Sequence, residues 1–562
     1  MVEYLRGEEM AACVHRVALS RGEPFPFTRP EPRAEIVRRR ASAERFRRSA
    51  LEELRAAHPD AVAATTVADT CTALDAGARL IIAPRLPGDD AGLRRAHAHL
   101  LVRVGRSSER WTYAPVVIRH GELAEAAATR RSPVGDLEHP WPESATFRNG
   151  VGVRVTASTV RVGLAVVHAL AVLEAAGHAD ERFRGGVIDR HRAIWWLDLA
   201  SSAYPRFNRH TYERHYAERL AVLQGHQRWR DSQGPFPTVP AWHRECLECD
   251  YAAVCREQLE SRDDVSLTRF TSLEQQALLR ESGIVTRGRL ARLDPARARG
   301  ARPAFADGAL EAVLAASIDN LESLIYRARA TEFGPLRTTD ADRMGCPRAD
   351  VEVDVDMESY DNRTYLWGAL VTLRRNVPGV EAGYRSFVDW ATPTERSEGD
   401  VFAAFWRWLT DLRQRTATAG ATWCAYCFWA YAEDSAMNRA ASSSSPQAPD
   451  LAEIEAFRST RPPVWVDVHA LARSQIQTDG PTGLKALARH ANFRWRDASP
   501  SGEASMSWFE SACNEGGANS EDRRRLLEYN EDDCRATRAL REWLGGAARE
   551  LPHRDDVPPR SR

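Results

Sequence analysis

Three short acidic signatures carry the chemistry this chain could do. Val355-Asp356-Met357-Glu358-Ser359 places two carboxylates at i and i+2. In an extended strand such residues share a face, and Asp354 lies on that face too. Far downstream, Tyr529-Asn530-Glu531-Asp532-Asp533-Cys534 falls within a helical stretch from about Glu521 to Leu544. There Tyr529 and Asp533, at i and i+4, share a helix face. Between the two, Ala430-Tyr431-Ala432-Glu433-Asp434-Ser435 follows an apolar strand and opens a helix. Clustered carboxylates repel one another and are tolerated when divalent cations neutralise them. Hard oxygen ligands suit Mg²⁺ or Mn²⁺. Two such ions about 3.5–4 Å apart can activate a water and stabilise the leaving oxygen in phosphodiester cleavage.

A second constellation is made of sulfur. Cys246-x2-Cys249-x5-Cys255 offers three thiolates at chelating spacing. Cys13, in Ala12-Cys13-Val14-His15, is the expected fourth ligand, with Cys71 in reserve. Four thiolates hold either a [4Fe–4S] cluster or Zn²⁺. Cys346, Cys424, Cys427, Cys513 and Cys534 read as scattered or buried, and Cys424-x2-Cys427 as strand packing in an aromatic stretch.

The elements that must position these residues alternate. The chain has 562 residues, enough for three to four domains or two large ones. Hydrophobic content of 43% and charged content of 28% are those of an ordinary globular protein. A net charge of -1, from 77 basic and 78 acidic residues, excludes a globally cationic nucleic-acid binder but not local basic surfaces. Lys485 is the sole lysine. Any chemistry that needs a lysine therefore uses Lys485 or does without. A phosphate-binding loop is excluded, because Gly480-Pro481-Thr482-Gly483-Leu484-Lys485-Ala486 does not fit G-x4-G-K-[ST], so the chain is not a motor. No apolar run is expected to reach the ~18 residues of a membrane span. The first nine residues are acidic and mixed rather than basic-then-apolar. Cytoplasmic residence is the expectation, and there ten cysteines do not make a disulfide framework.

Periodicity predicts a helix from Ala34 to His58 and strands at Ala78–Ala83, His99–Val104 and Pro115–Ile118. Helices follow at Thr156–Ala176 and His210–Gln224. Residues 263–330 read as all-helical, with Glu281-Ser282-Gly283-Ile284-Val285-Thr286 resembling the turn of a helix-hairpin-helix. From Asp350 strands and helices alternate to about Leu544, and a Pro- and Arg-rich tail from 549 reads as disordered.

The strand D-x-E, the helix-start acid and the helix Y-x3-D together resemble the DnaQ-type exonucleases of the DEDD class, in the Tyr variant DEDDy, on an RNase H-like fold. That resemblance implies metal ligation by Asp356, Glu358 and Asp533 and orientation of the attacking water by Tyr529. The second acidic position, usually Asp in the family, falls on Glu433 or else Asp434. Asp467, in Trp465-Val466-Asp467-Val468, resembles a frequent accessory Asp and is not expected to bind metal. Lys485 falls where the family often has a Leu-Lys pair at a helix start.

One Cys near the N-terminus and three after the core resemble the iron–sulfur RecB-like nucleases, in which a [4Fe–4S] cluster staples the two ends of the domain. Trp195-Trp196-Leu197-Asp198-Leu199-Ala200 and the Arg/Tyr-rich helix after it extend the likeness over residues 1–340. In that family a PD-(D/E)XK domain precedes a helix-hairpin-helix-like segment and an RNase H-like domain. The PD-(D/E)XK chemistry itself does not match. His99 stands where the family has Asp, and the E-x-K position reads Val117-Ile118-Arg119.

The expected architecture is therefore α/β. Residues 1–262 form a degenerate RecB-like domain, 263–340 a helical connector, and 345–548 an RNase H-like mixed sheet with flanking helices. The expected activity is 3′–5′ exonucleolytic hydrolysis of DNA or RNA from a single-stranded end. Residues 1–262 serve as a binding scaffold, and a separate helicase supplies any unwinding. The alternative is an inactive nucleic-acid-binding scaffold working with a separate helicase or nuclease.

Overall fold

The structure, a computed structural model, describes residues 3–32, 34–107, 110–232, 234–269, 271–298, 314, 317–497, 502–514 and 521–558. It divides into two units, Met1–Gln258 and Leu259–Arg562. The helical segment after 262 thus clusters with the C-terminal half.

The first unit is built on eight strands: β1 (Val62–Ala63), β2 (Leu80–Ile82), β3 (Leu100–Ser107), β4 (Arg110–Ile118), β5 (Ala124–Gly135), β6 (Thr146–Val153), β7 (Arg184–Ile188) and β8 (Ile194–Asp198). They pair in the order β1-β2-β3-β4-β7-β8-β5-β6. The pairing of β4 with β7 is parallel, so the chain must cross over between them. The helix Ala157–Ala175 makes that crossing. Its Leu164, Val166, Val167 and Leu170 are buried in a core with Val117, Val187, Trp195 and Leu197. This helix is long and apolar enough, by length and composition, to cross a membrane, which corrects the expectation that no run qualifies. Most of it is buried within the unit, as a core helix is.

In the second unit, Ser272 caps the helix Leu273–Glu281 and Thr286 caps Arg287–Ala291. Gly283, at φ 79°, turns the chain between them. Asp263 fixes the second helix by accepting hydrogen bonds from Arg287 Nε (2.9 Å) and Gly288 N (2.8 Å). Two capped helices thus flank the turn at 282–286.

The rest of the second unit is a five-stranded sheet: β9 (Val351–Tyr360), β10 (Arg363–Leu373), β11 (Gly383–Val388), β12 (Trp423–Cys427) and β13 (Trp465–Asp467), in the order β11-β10-β9-β12-β13. β9 and β10 form an antiparallel hairpin, while β12 and β13 run parallel to β9. The alternation along β9 sorts its residues to two faces. Val351, Val353 and Val355 pack with Phe402, Phe405 and Leu409 of the helix Glu395–Thr418. Glu352, Asp354, Asp356 and Glu358 face the other way, toward the 25-residue helix Glu521–Gly545.

Four acids in a row on one buried face need cations. Arg541, fully buried, supplies one. Its Nε and Nη2 donate to Asp354 at 2.7 and 2.8 Å, and its Nη1 donates to Glu352 at 2.7 Å.

The expectation of a disordered tail from 549 does not hold through residue 558. Val557 is buried against Ala330 and Leu336, and its carbonyl accepts from Arg329. His553 bridges to Arg337. One apolar anchor and backbone pairing outweigh the Pro- and Arg-rich composition.

Truncating Arg541 to Ala leaves the buried Asp354 carboxylate unpaired and takes from Glu352 one of its guanidinium partners, Arg348 remaining, and should cost about 3–5 kcal/mol of stability in denaturant unfolding. The triple change Arg541→Met, Glu352→Gln, Asp354→Asn should recover most of that loss, because no uncompensated charge remains.

Candidate active site

The site forms where β9 passes the middle of the helix Glu521–Gly545. Arg541 meets the start of the strand, at Glu352 and Asp354. Asn530, three helical turns earlier, meets Asp356 through Nδ2–H···Oδ2 at 2.8 Å. The helix therefore runs antiparallel to the strand, and Asp533 comes to lie beside Asp356 and Glu358. One carboxylate oxygen from each of these three lies within 4.8 Å of the others. A register shift between Glu358 and Ser359 interrupts the β9–β10 ladder at this point. Such bulges re-aim side chains next to sites.

Each carboxylate also has a neutral donor. Ser505 Oγ donates to Glu358 Oε2 (2.9 Å), Trp495 Nε1 to Asp533 Oδ1 (2.6 Å), and Asn530 to Asp356. Asn530 is held in turn by Tyr384, whose hydroxyl donates to its Oδ1 at 2.8 Å. Gly368, across from Asp356 on β10, makes room for this pair. A Cβ there would stand 1.7 Å from Asn530 Oδ1.

Burial raises the Asp356 carboxyl well above its usual range, and Asp533, Glu358 and Glu433 raise it further. Burial and then Asp533 push Glu358 up to about 8. Asp533 is raised as well, mainly by burial, with Lys485 acting against it. Lys485 is the cation closest to this chemistry. Its Nζ donates to Tyr529 Oη at 2.6 Å, and Tyr529 also hydrogen-bonds Asp533 one turn on.

Glu433, on the helix Ala430–Ala441, is buried with its Oε2 unpartnered, and its charge reaches Asp356. It stands outside the group of three. Asp434 is committed elsewhere, accepting from Trp465 Nε1 at 3.1 Å and facing Arg458. Asp467 caps the helix after β13 and accepts the backbone N–H of Trp429 and Ala430. Burial, the unpartnered Glu433 oxygen and the mutual repulsion of the carboxylates fit divalent cations bound by hard oxygen donors.

Of the predicted residues, Asp356, Glu358 and Asp533 thus come together with Tyr529 and Lys485, Glu433 lies outside that group, and Asp434 is turned to other partners. Asn530, Ser505, Trp495, Tyr384 and Gly368 were not singled out by sequence. Asn530 alone carried a signal, since it stands next to Tyr529 and one helical turn before Asp533.

In the first unit, Cys13, Cys246, Cys249 and Cys255 line one apolar cavity with Leu19, Pro240, Ala241 and Tyr251. Cys71 is not among its walls. Glu245 ties the two ends together, accepting from Cys13 N (2.7 Å) and Arg16 Nη1 (2.9 Å). Burial pushes Cys246 up to about 11 and Cys255 to about 12, so as free thiols they stay protonated at neutral pH. His99 accepts the backbone N–H of Ile118 at 2.9 Å, and Arg119 donates to Thr159 at 3.1 Å. Among the described residues of this unit no three acidic, His or Cys side chains bring ligand atoms within 4.8 Å of one another.

Residues 354–545 match the family RNase_H_2 of the RNase H superfamily. No curated protein and no solved structure matches the chain. The C-terminal unit therefore carries an RNase H-like domain, a class associated with phosphodiester hydrolysis and nucleic-acid substrates. The match opens at Asp354 and closes at Gly545, so it encloses every acid of the site.

The raised carboxyls fix a pH dependence. Glu358 keeps its proton up to about 8 when folded and loses it near 4.5 when unfolded. Between those values the unfolded state binds fewer protons, so stability is full below 4.5 and is lost as pH rises toward 8. Denaturant titrations in EDTA should show this fall, and Mg²⁺ or Mn²⁺ should flatten it. A metal-independent, flat profile would contradict the assignment.

Proposed function

We propose that this chain is a metal-dependent nuclease that hydrolyses phosphodiester bonds of DNA or RNA through its C-terminal domain, releasing nucleotides from a 3′ end. The observation that carries the reading is the buried, mutually repelling group Asp356, Glu358 and Asp533, with Glu433 beside it. Those carboxylates would hold two Mg²⁺ or Mn²⁺ ions, which when bound would supply an activated water and charge for the leaving oxygen. The chain's own residues do the rest. Asn530, Ser505 and Trp495 each fix one carboxylate, so the donor set is pre-aimed. Lys485 fixes Tyr529 by donating to its oxygen, which leaves the Tyr529 proton free for Asp533 or for the attacking water. Glu433 fills the second acidic position of a DEDDy set. The 3′ polarity rests on that likeness.

Residues 1–262 are proposed as a RecB-like scaffold without its own nuclease centre. His99 and Arg119 occupy the positions where carboxylate and lysine chemistry would be needed, and both are taken up by local hydrogen bonds. Cys13, Cys246, Cys249 and Cys255 would hold a [4Fe–4S] cluster, which would staple its two ends. Buried thiols that converge on one cavity fit a group that holds them as thiolates. No three of the four sulfurs lie within 4.8 Å of one another. A separate helicase supplies any unwinding.

A second reading, an inactive nucleic-acid-binding scaffold, draws on the same donors, because each of the three carboxylates is already hydrogen-bonded by a neutral group.

The test is cleavage of 3′- and 5′-labelled single-stranded DNA and RNA with Mn²⁺. The wild type should shorten strands from the 3′ end. Asp356→Ala/Glu358→Ala should lose at least about 100-fold, and Lys485→Met about 10- to 100-fold. Binding without cleavage by the wild type would select the scaffold reading. For the cluster, anaerobically purified protein should be brown with about four iron per chain. Cys249→Ser should lose both colour and iron, while zinc in a colourless wild type would replace the assignment.

A further inference from the structure

The loop leaving β12 and the first turn of the helix Ala430–Ala441 carry two large aromatic rings into solvent beside the acidic site. Trp429 is 51% exposed and Tyr431 is 71% exposed, and their ring centroids lie 5.6 Å apart at an interplanar angle of 36°. Burial is the ordinary fate of such rings, so an exposed adjacent pair invites an occupant.

Their placement is fixed by the sheet. Cys427, the last residue of β12, pairs with Val355, and the next residue of β9 is Asp356. Trp429 is therefore two residues beyond the strand end that flanks the carboxylates, at the carboxyl ends of parallel strands, where such sheets bind ligands. Tyr431 precedes Glu433 by two residues on the same helix.

Their conformation is also held. Trp429 adopts φ 72°, a left-handed backbone that bulky residues rarely take. Asp467 braces it, its carboxylate accepting Trp429 N at 3.3 Å and Ala430 N at 3.1 Å while also capping the next helix at Ala470 N (2.9 Å). A strained, braced residue beside a site marks pre-organisation.

We propose that Trp429 and Tyr431 form a stacking platform for unpaired nucleobases, which seats the end of a single-stranded nucleic acid over the carboxylates. The proposal rests on the nuclease reading and names residues that deliver its substrate. Duplex bases are already stacked on one another, so two open ring faces suit an unpaired end. Phosphates are repelled by the acids until cations arrive, so the bases are the part of the strand this surface can hold by itself.

The test reads binding without chemistry. Full-length protein in EDTA is titrated with a 5′-labelled single-stranded oligonucleotide, and with the same strand abasic at its two 3′-terminal positions. The wild type should prefer the complete strand by about 5- to 150-fold. Trp429→Ala and Tyr431→Ala should lose that margin without a change in melting temperature, and Trp429→Phe should keep most of it. Wild type that does not discriminate, or a Trp429→Ala loss that falls equally on the abasic strand, overturns the platform. A wild type that shows the margin but cuts nothing with Mn²⁺ supports the platform and refutes the nuclease reading. Cutting without the margin does the reverse.

Discussion

The geometry of the second unit hangs on one fully buried guanidinium. Arg541 spans Glu352 and Asp354 with three short hydrogen bonds, and Arg348 completes the Glu352 carboxylate at 2.7 Å. A planar fork is the side chain that can bind two carboxylates at once. Burying such charges is expensive, and their pairing does little more than offset that cost. What the pairing fixes is register. A helix of 25 residues can slide along a strand, and each slip of one turn is about 5.4 Å. With Arg541 seated on the first two acids of β9, Asn530 and Asp533 can meet only the next two. The row of four acids is thus divided. Glu352 and Asp354 are neutralised by protein, while Asp356 and Glu358 are left with neutral donors and a distant lysine.

Much of this was legible from alternation alone. Val351 to Asp356 announces a strand with one apolar and one acidic face, and Tyr529-x3-Asp533 announces a helix face. The join between them was not legible, because Arg541 is one of many arginines and nothing in its neighbours marks it as buried. Asp354 was placed on the right face, but its partner was invisible. Gly368 was equally silent, since its role is an absence that lets Asn530 approach Asp356. The choice between Glu433 and Asp434 also needed three dimensions. Adjacent helix residues point about 100° apart, so only one can face the site, and Asp434 turns to Trp465 and Arg458. The tail misled because composition weighs every residue alike, whereas Val557 and the backbone pairing with Arg337 anchor it.

In the first unit His99 and Arg119 are structural groups, each taken up by a local hydrogen bond. His99 is buried and kept neutral, its pKa pushed down to about 3 chiefly by burial. It works as a hydrogen-bond acceptor inside the sheet. A neutral acceptor at that point needs no cation beside it, so the packing of the sheet is undisturbed.

The near-total use of arginine sharpens the meaning of the single exception. Where two carboxylates must be bridged, as at Glu352 and Asp354, the fork is the better tool. At Lys485 the task differs, because one phenolic oxygen must receive one donor in a space closed by Trp495 and Tyr529. A guanidinium presents five donors in a plane, of which the phenolic oxygen there could take only one or two. A compact ammonium brings its charge close to Asp533 and Tyr529 with little to satisfy beyond them. A sequence that writes arginine almost everywhere else and lysine here is constrained by that geometry. The constraint acts at the Tyr529 phenol, the group that on the proposed reading aligns the attacking water.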